Sequence, residues 1–136
     1  MSAADAFIDT SVLFYLLSSE TARTDRVEEL LLRWGKINTQ VLNEFAAAAL
    51  RKHVLSLAEL REFLQSIREL CITHPVTVET HERGLEIVER YGYSLYDSMI
   101  IAAALLADCR TLYSEDLQHG QVIDKRLTVI NPFVSK

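Results

Sequence analysis

Four carboxylates stand out because each follows a feature that would hold it still. Asp9 ends the apolar run Ala6-Phe7-Ile8. Glu44 precedes the alanine run Ala46 to Ala49. Asp97 lies three positions after Ser94, and Asp116 follows Thr111-Leu112-Tyr113 by three. Acids crowded together repel one another and bind protons more tightly unless a cation neutralises them. Hard divalent cations do this with oxygen donors. Mg²⁺, or Mn²⁺ in its place, takes one or two carboxylates and keeps several waters. Such a centre can generate hydroxide near neutral pH, direct it in line at a phosphorus and neutralise the departing alkoxide.

Each acid also has a structural reading that the sequence leaves open. Asp at a strand-to-helix junction is an ordinary helix cap. Ser94-Leu95-Tyr96-Asp97 has the form of a capping box, in which the acid only satisfies backbone donors. Glu44 can be an exposed helix residue, and Glu115-Asp116 a solvated pair. Asp116 is the preferred site residue of that pair. Asp116 with His119 is the nearest approach to a mixed ligand pair, but a surface His119 is the simpler reading.

The elements that would position these acids are short strands alternating with helices. Ala6 to Ile8 predicts the first strand, and Val12 to Leu17 a buried helix. A polar loop, Ser18 to Thr24, leads to a second helix through Val27, Leu30, Leu31 and Trp34, ended by Gly35. Lys36-Ile37-Asn38 predicts a strand, after which Thr39 caps a helix running towards His53. Arg51 and Lys52 suit the negative end of that helix. Ser56 and Glu59 form a capping-box pattern for a fourth helix, and Cys71-Ile72-Thr73 predicts a strand closed by Pro75.

Thr77 opens a fifth helix that Gly92 ends. Ser94 caps a sixth, apolar on all sides and therefore central. Thr111 to Tyr113 and Leu127 to Ile130 complete the strands. Strands separated by helical crossovers imply a parallel sheet, so the expected fold is α/β: a three-layer α/β/α sandwich around a short, mainly parallel sheet, in one domain over residues 1–136. In such sheets the working crevice lies beyond the carboxyl ends of the strands, where Asp9 and Asp116 fall.

The chain has 136 residues, 49% of them hydrophobic and 24% charged, the composition of a folded globular protein. Fourteen Lys and Arg against nineteen Asp and Glu leave a net charge of −5. That excludes coating nucleic acid by bulk electrostatics; a polyanion would need a local basic patch or bound cations. Arg23, Arg26, Lys125 and Arg126 are candidate phosphate contacts or plain surface charge. The longest apolar run, Met99 to Ala107, is far shorter than the roughly 20 residues that span a bilayer, which leads us to expect a cytoplasmic protein. Cys71 and Cys109 have the setting of small core residues, and four unpaired histidines do not favour zinc.

Rival chemistries lack their signatures. The acid of Asp9-Thr10-Ser11 has no second acid two residues on, as an Asp-nucleophile phosphatase would. Four glycines form neither a Walker loop nor G-x-G-x-x-G, and no G-x-S-x-G turn is present.

Taken in order, the stretches FIDTSVL, Asn43-Glu44-Phe45, Tyr96-Asp97-Ser98 with the apolar run after it, and Tyr113-Ser114-Glu115-Asp116 resemble the motifs of PIN-domain ribonucleases, in particular the toxin subunits of VapBC-type toxin–antitoxin pairs. The resemblance covers nearly the whole chain. It implies Asp9, Glu44, Asp97 and Asp116 as catalytic acids, with Asp9, Asp97 and Asp116 on the metal. Thr10, Ser11, Ser114 and Glu115 would support them, Glu115 able to share the role of Asp116, and Ser98 stands where a small residue is usual. It further implies Mg²⁺ or Mn²⁺ as cofactor, RNA as substrate, homodimerisation and a small antitoxin as inhibitor. The alternatives within that resemblance are a catalytically silent binding subunit and a housekeeping nuclease without an antitoxin.

Overall fold

The computed structural model describes residues 6–33 and 35–134; Trp34 falls outside the described residues. Six strands form one sheet: β1 (Ala6–Ile8), β2 (Lys36–Asn38), β3 (Ile72–His74), β4 (Thr111–Tyr113), β5 (Val122–Ile123) and β6 (Leu127–Ile130). Their order is β3-β2-β1-β4-β6-β5, with every neighbouring pair parallel except the β5–β6 hairpin. The helices flanking the sheet are α1 (Thr10–Leu13), α2 (Thr21–Leu32), α3 (Thr39–Arg51), α4 (Leu57–Leu70), α5 (Val78–Tyr91) and α6 (Leu95–Leu106). The expected α/β architecture with a mainly parallel central sheet is therefore the observed one.

Three residues suffice for β1, at the centre of the sheet, because it is buried throughout. Phe7, Ile8, Ile37 and Leu112 are fully buried, each worth about 1.5–3 kcal/mol of apolar transfer. In β1 the register Ala6↔Thr111, Phe7↔Leu112, Ile8↔Tyr113 sets the chain after β1 beside the chain after β4. The Asp9 N–H continues that ladder, donating to the Tyr113 carbonyl at 2.9 Å.

Caps fix where the helices start. Ser56 and Glu59 form both bonds of the anticipated capping box on α4. On α5 Thr77 does the same with Thr80, a hydroxyl doing what Glu usually does. Gly92 ends α5 at φ 74°, a left-handed conformation that glycine adopts without penalty. Gly84 of α5 meets α6 closely: a Cβ there would come within 2.5 Å of Met99 Sδ. α6 buries Ile100 through Leu105 and is the central helix its composition predicts.

Five boundaries differ from expectation, the first being the end of α2, which stops at Leu32 with Arg33 as its cap, short of Gly35. Asn38, not Thr39, caps α3, its side chain accepting from the Val41 N–H at 3.0 Å. Because β2 extends through Asn38, that side chain is the first one free to turn back. α2 begins at Thr21, inside the stretch read as loop. The third strand lies one residue later than expected, Cys71 being the residue that ends α4. The Val12–Leu17 helix is α1 followed by a 3₁₀ turn over Phe14–Leu17, whose side chains are half-buried rather than core. The two-residue strand β5 had no periodic signal to announce it. Cys71 and Cys109 are buried, and burial pushes the Cys71 thiol up to about 11, out of the reactive range.

Candidate active site

Asp9 follows β1 directly and caps α1. It is 6% exposed, an expensive position for a carboxylate without hydrogen bonds. Three donors hold it: the Thr10 N–H on Oδ1 at 2.7 Å, and on Oδ2 the Ser11 hydroxyl at 3.0 Å and the Ser114 hydroxyl at 2.8 Å. Asp9 is the helix cap, and its carboxylate is also bound across the sheet. Ser114, fully buried after β4, also accepts the Asp116 N–H at 3.2 Å. Ser11 in turn accepts the Glu115 N–H at 3.1 Å. Ser11 and Ser114 together pin the chain after β4 against Asp9.

Asp97 sits in the first turn of α6. Ser94 Oγ accepts the Asp97 N–H at 3.2 Å, but the Asp97 carboxylate makes no return bond to the Ser94 N–H. The capping box is half-formed, and the acid is left available. Glu44 lies in the second turn of α3, half-buried, with Oε2 buried and without a hydrogen-bond partner.

Electrostatics show that the four acids share one field. Burial pushes the Glu44 carboxyl above the ordinary carboxylate range, and the charges of Asp9, Asp97 and Asp116 push the same way. Burial also raises Asp9; its hydrogen bonds from Ser114 and Ser11 oppose that, and the charge of Asp116 adds to it. Asp116, though exposed, is raised by partial desolvation and by Asp97 and Glu115. Acids far apart in the chain are thus close enough for Asp97 and Asp116 to act on Glu44, and Asp116 on Asp9.

Glu115 has a different place. Its carboxylate accepts from Tyr15 Oη at 2.8 Å and from Arg23 Nη1 at 2.8 Å, and Arg23 Nη1 also donates to Tyr15 Oη at 2.8 Å. The guanidinium lies 4.9 Å from the Phe133 ring centre. Glu115 is thus held in an ion pair 92 positions away in sequence, which single-sequence spacing does not reveal. His119 is likewise engaged, its Nδ1 accepting the Asn131 N–H at 3.0 Å.

The acids suit a hard divalent ion. They offer carboxylate and hydroxyl oxygens, Glu44 Oε2 is an unpartnered buried acceptor, and the Thr10 and Ser98 hydroxyls are buried and unpartnered too. Among the described residues no three His, Cys, Asp or Glu side chains form a ready-made metal cage. Oxygen donors of this kind suit Mg²⁺ better than zinc, which draws on Cys and His.

Beside the acids runs a groove of 690 Å³. Glu44, Glu115 and Asp116 line it together with Phe14, Arg51 and Lys52. The other candidate cations are elsewhere: Arg26 pairs with Glu29, while Lys125 and Arg126 lie at the opposite end of β6 from the acids. The sequence reading overlooked the placement of Arg51 and Lys52 on the groove. The spacing of Arg51 from Glu44, two helical turns, was the available signal.

The PIN domain family model matches residues 6–124. The chain belongs to the PIN domain family. Two solved structures share the fold: a toxin–antitoxin complex from Klebsiella pneumoniae, at 19% identity and TM-score 0.73 over 94% of this chain and 98% of that one, and VapC20 of Mycobacterium tuberculosis, a sarcin-ricin loop cleaving toxin, at 21% identity and TM-score 0.65 over 82% and 89%. No curated protein matches the sequence. Among the described residues no helix is long and apolar enough to cross a membrane.

Proposed function

We propose that this chain is a metal-dependent endoribonuclease, a hydrolase of RNA phosphodiester bonds and the toxin of a toxin–antitoxin pair. One observation carries the reading: the charges of Asp9, Asp97 and Asp116 all reach Glu44, those of Asp97 and Asp116 also reach Asp116 and Asp9 respectively, and Glu44 Oε2 is buried without a hydrogen-bond partner. Family membership supports it, as do structural neighbours described as a toxin–antitoxin complex and as a sarcin-ricin loop cleaving toxin.

Asp9, Asp97 and Asp116 would hold Mg²⁺ or Mn²⁺, with Glu44 as the fourth acid of the site. When bound, such an ion lowers the pKa of water, offsets charge on the phosphoryl oxygens and stabilises the leaving oxygen. The protein's own part is positioning. Ser11 and Ser114 fix the Asp9 carboxylate, and the Ser114 bond to the Asp116 N–H sets the start of the following loop. Glu44, with its raised proton affinity, is suited to accept a proton from an attacking water. Thr10 supports Asp9 through its N–H, and Glu115 serves through the ion pair to Arg23.

The reading places residues 1–136 in one cytoplasmic nuclease domain, working as a homodimer and inhibited by a cognate antitoxin. Purified protein is incubated with mixed structured and unstructured RNA in Mg²⁺ or Mn²⁺ and, separately, in EDTA. Cleavage appears only with metal, and Asp9→Asn abolishes it while the circular dichroism spectrum is retained. Cutting that persists in EDTA, or in Asp9→Asn, overturns the mechanism.

A further inference from the structure

The groove beside the acids has a second end of opposite charge. Glu44, Ala47, Ala48 and Arg51 stand at i, i+3, i+4 and i+7 of α3, on one helix face, and all four line the groove. Arg51 is two turns, about 10 Å, beyond Glu44 along that face. Only methyl groups intervene, so this wall stays low enough for a chain to lie against it. Lys52, which caps α3, lines the same end, with its Nζ 5.0 Å from the Phe14 ring centre on the facing wall.

These two cations differ from the others nearby. Arg23 is taken by Glu115 and Tyr15, and Arg26 by Glu29. Arg51 and Lys52 have no ion pair and no side-chain hydrogen bond among the described residues. Their position at a helix C-terminus satisfies the macrodipole, but the dipole needs neither the alanines nor an aromatic wall. In a protein of net charge −5 whose centre is acidic, a phosphate backbone needs a separate attractive point.

We propose that Arg51 and Lys52 form a phosphate-binding subsite that holds the backbone of single-stranded RNA along α3. This rests on the nuclease reading above and names how that site would grip its substrate away from the acids. The two residues are positioning groups: they select and orient the strand and leave the bond-breaking groups unchanged.

The test uses Arg51→Gln, Lys52→Gln, the double variant and Arg51→Lys in the full chain. Binding of a fluorescein-labelled, 2′-O-methylated single strand of about 12 nucleotides is followed by anisotropy across a salt series in Mg²⁺. Each Gln substitution is expected to weaken binding about five- to tenfold and to flatten the slope of log affinity against log salt by about 0.7. Arg51→Lys keeps the slope. With unmodified RNA, KM rises while kcat stays within about twofold. Wild-type affinity and salt slope in the double variant overturn the subsite, as does a wild-type protein that does not bind the strand, or a loss confined to kcat. If the wild type binds with this salt dependence but cleaves no RNA, the nuclease reading fails and the subsite stands. If it cleaves RNA and the double variant is indistinguishable from it, the subsite alone fails.

Discussion

The Ser114 hydroxyl donates a 2.8 Å hydrogen bond to Asp9 Oδ2 and so joins the ends of two adjacent parallel strands. The same oxygen accepts the Asp116 N–H. One fully buried hydroxyl thereby sets the relation between two of the acids. Ser114→Ala removes both bonds and leaves a buried carboxylate with fewer donors, a loss of about 1–3 kcal/mol. Urea unfolding is expected to show the midpoint falling with an unchanged m-value, and cleavage to fall with it. An unaltered midpoint would remove Ser114 from this role.

Glu115 and Asp116 are adjacent and line one groove, yet their partners differ. Glu115 is tied to Arg23 and Tyr15, while Asp116 faces the charge of Asp97. Glu115→Gln is expected to retain metal-dependent cleavage within about threefold. Asp116→Asn is expected to lose about 10²- to 10³-fold, the scale of a group acting directly on transition-state charge. Equal losses in the two variants would show that Glu115 shares the site.

Acids whose proton affinity is raised by folding weaken the fold once ionised. For Asp9, Glu44 and Asp116 the stabilising contribution of the protonated form is complete below about pH 4 and is lost as pH rises through their raised values. In EDTA at neutral pH, Asp116→Asn is therefore expected to melt higher than wild type. Because Asp116 is exposed and screened, the gain is limited to about 0.5 kcal/mol, or about 1–3 °C. Mn²⁺ raises the wild-type melting temperature and not that of Asp116→Asn, which differential scanning fluorimetry can follow.

Asp124 titrates in the opposite sense. Burial alone would raise its carboxyl, but hydrogen bonds from Tyr91, Arg83 and Arg90 outweigh that and hold it below the ordinary range. Its contribution is thus complete above about pH 4 and fades as pH falls through the lowered value. These bonds tie α5 to the β5–β6 turn, where Asp124 and Lys125 both have positive φ. Asp124→Asn is expected to lower stability by about 1–2 kcal/mol at pH 7, with the gap unchanged down to about pH 4 and narrowing below it. A gap independent of pH would exclude the ion pairs as its source.

Gly84 lets α6, and with it Asp97, pack close to α5. A Cβ at this position would meet Met99 Sδ at 2.5 Å and Met99 Cα at 3.5 Å. The sulfur can swing aside, but the backbone cannot, so a branched side chain displaces α6. Gly84→Val is expected to cost about 1–3 kcal/mol and to reduce cleavage more than Gly84→Ala does.

Much of this arrangement was legible because it is written locally. An apolar strand running into Asp9 marks a strand end, Ser56 with Glu59 marks a helix start, and Gly92 marks a helix stop. The order of the acids carried the family resemblance, which the family match over residues 6–124 supports. What the sequence hid was of two kinds. Some choices lie between equivalent neighbours, such as Asn38 and Thr39, either of which can cap a helix. Others are made across the fold: the Glu115–Arg23 pair, and the return of Arg51 and Lys52 to the groove that Glu44 lines. No periodicity encodes those. They follow from how the helices seat on the sheet.

The strand order has a consequence for the timing of synthesis. β1 is made first but lies between β2 and β4, and its ladder with β4 links positions such as Phe7 and Leu112. At about 5–20 residues per second, a ribosome needs several seconds to go from one to the other. Through that interval the nascent chain carries Asp9 without Ser114 or Asp116, so the proposed acidic centre cannot be completed until the last of its four acids has emerged.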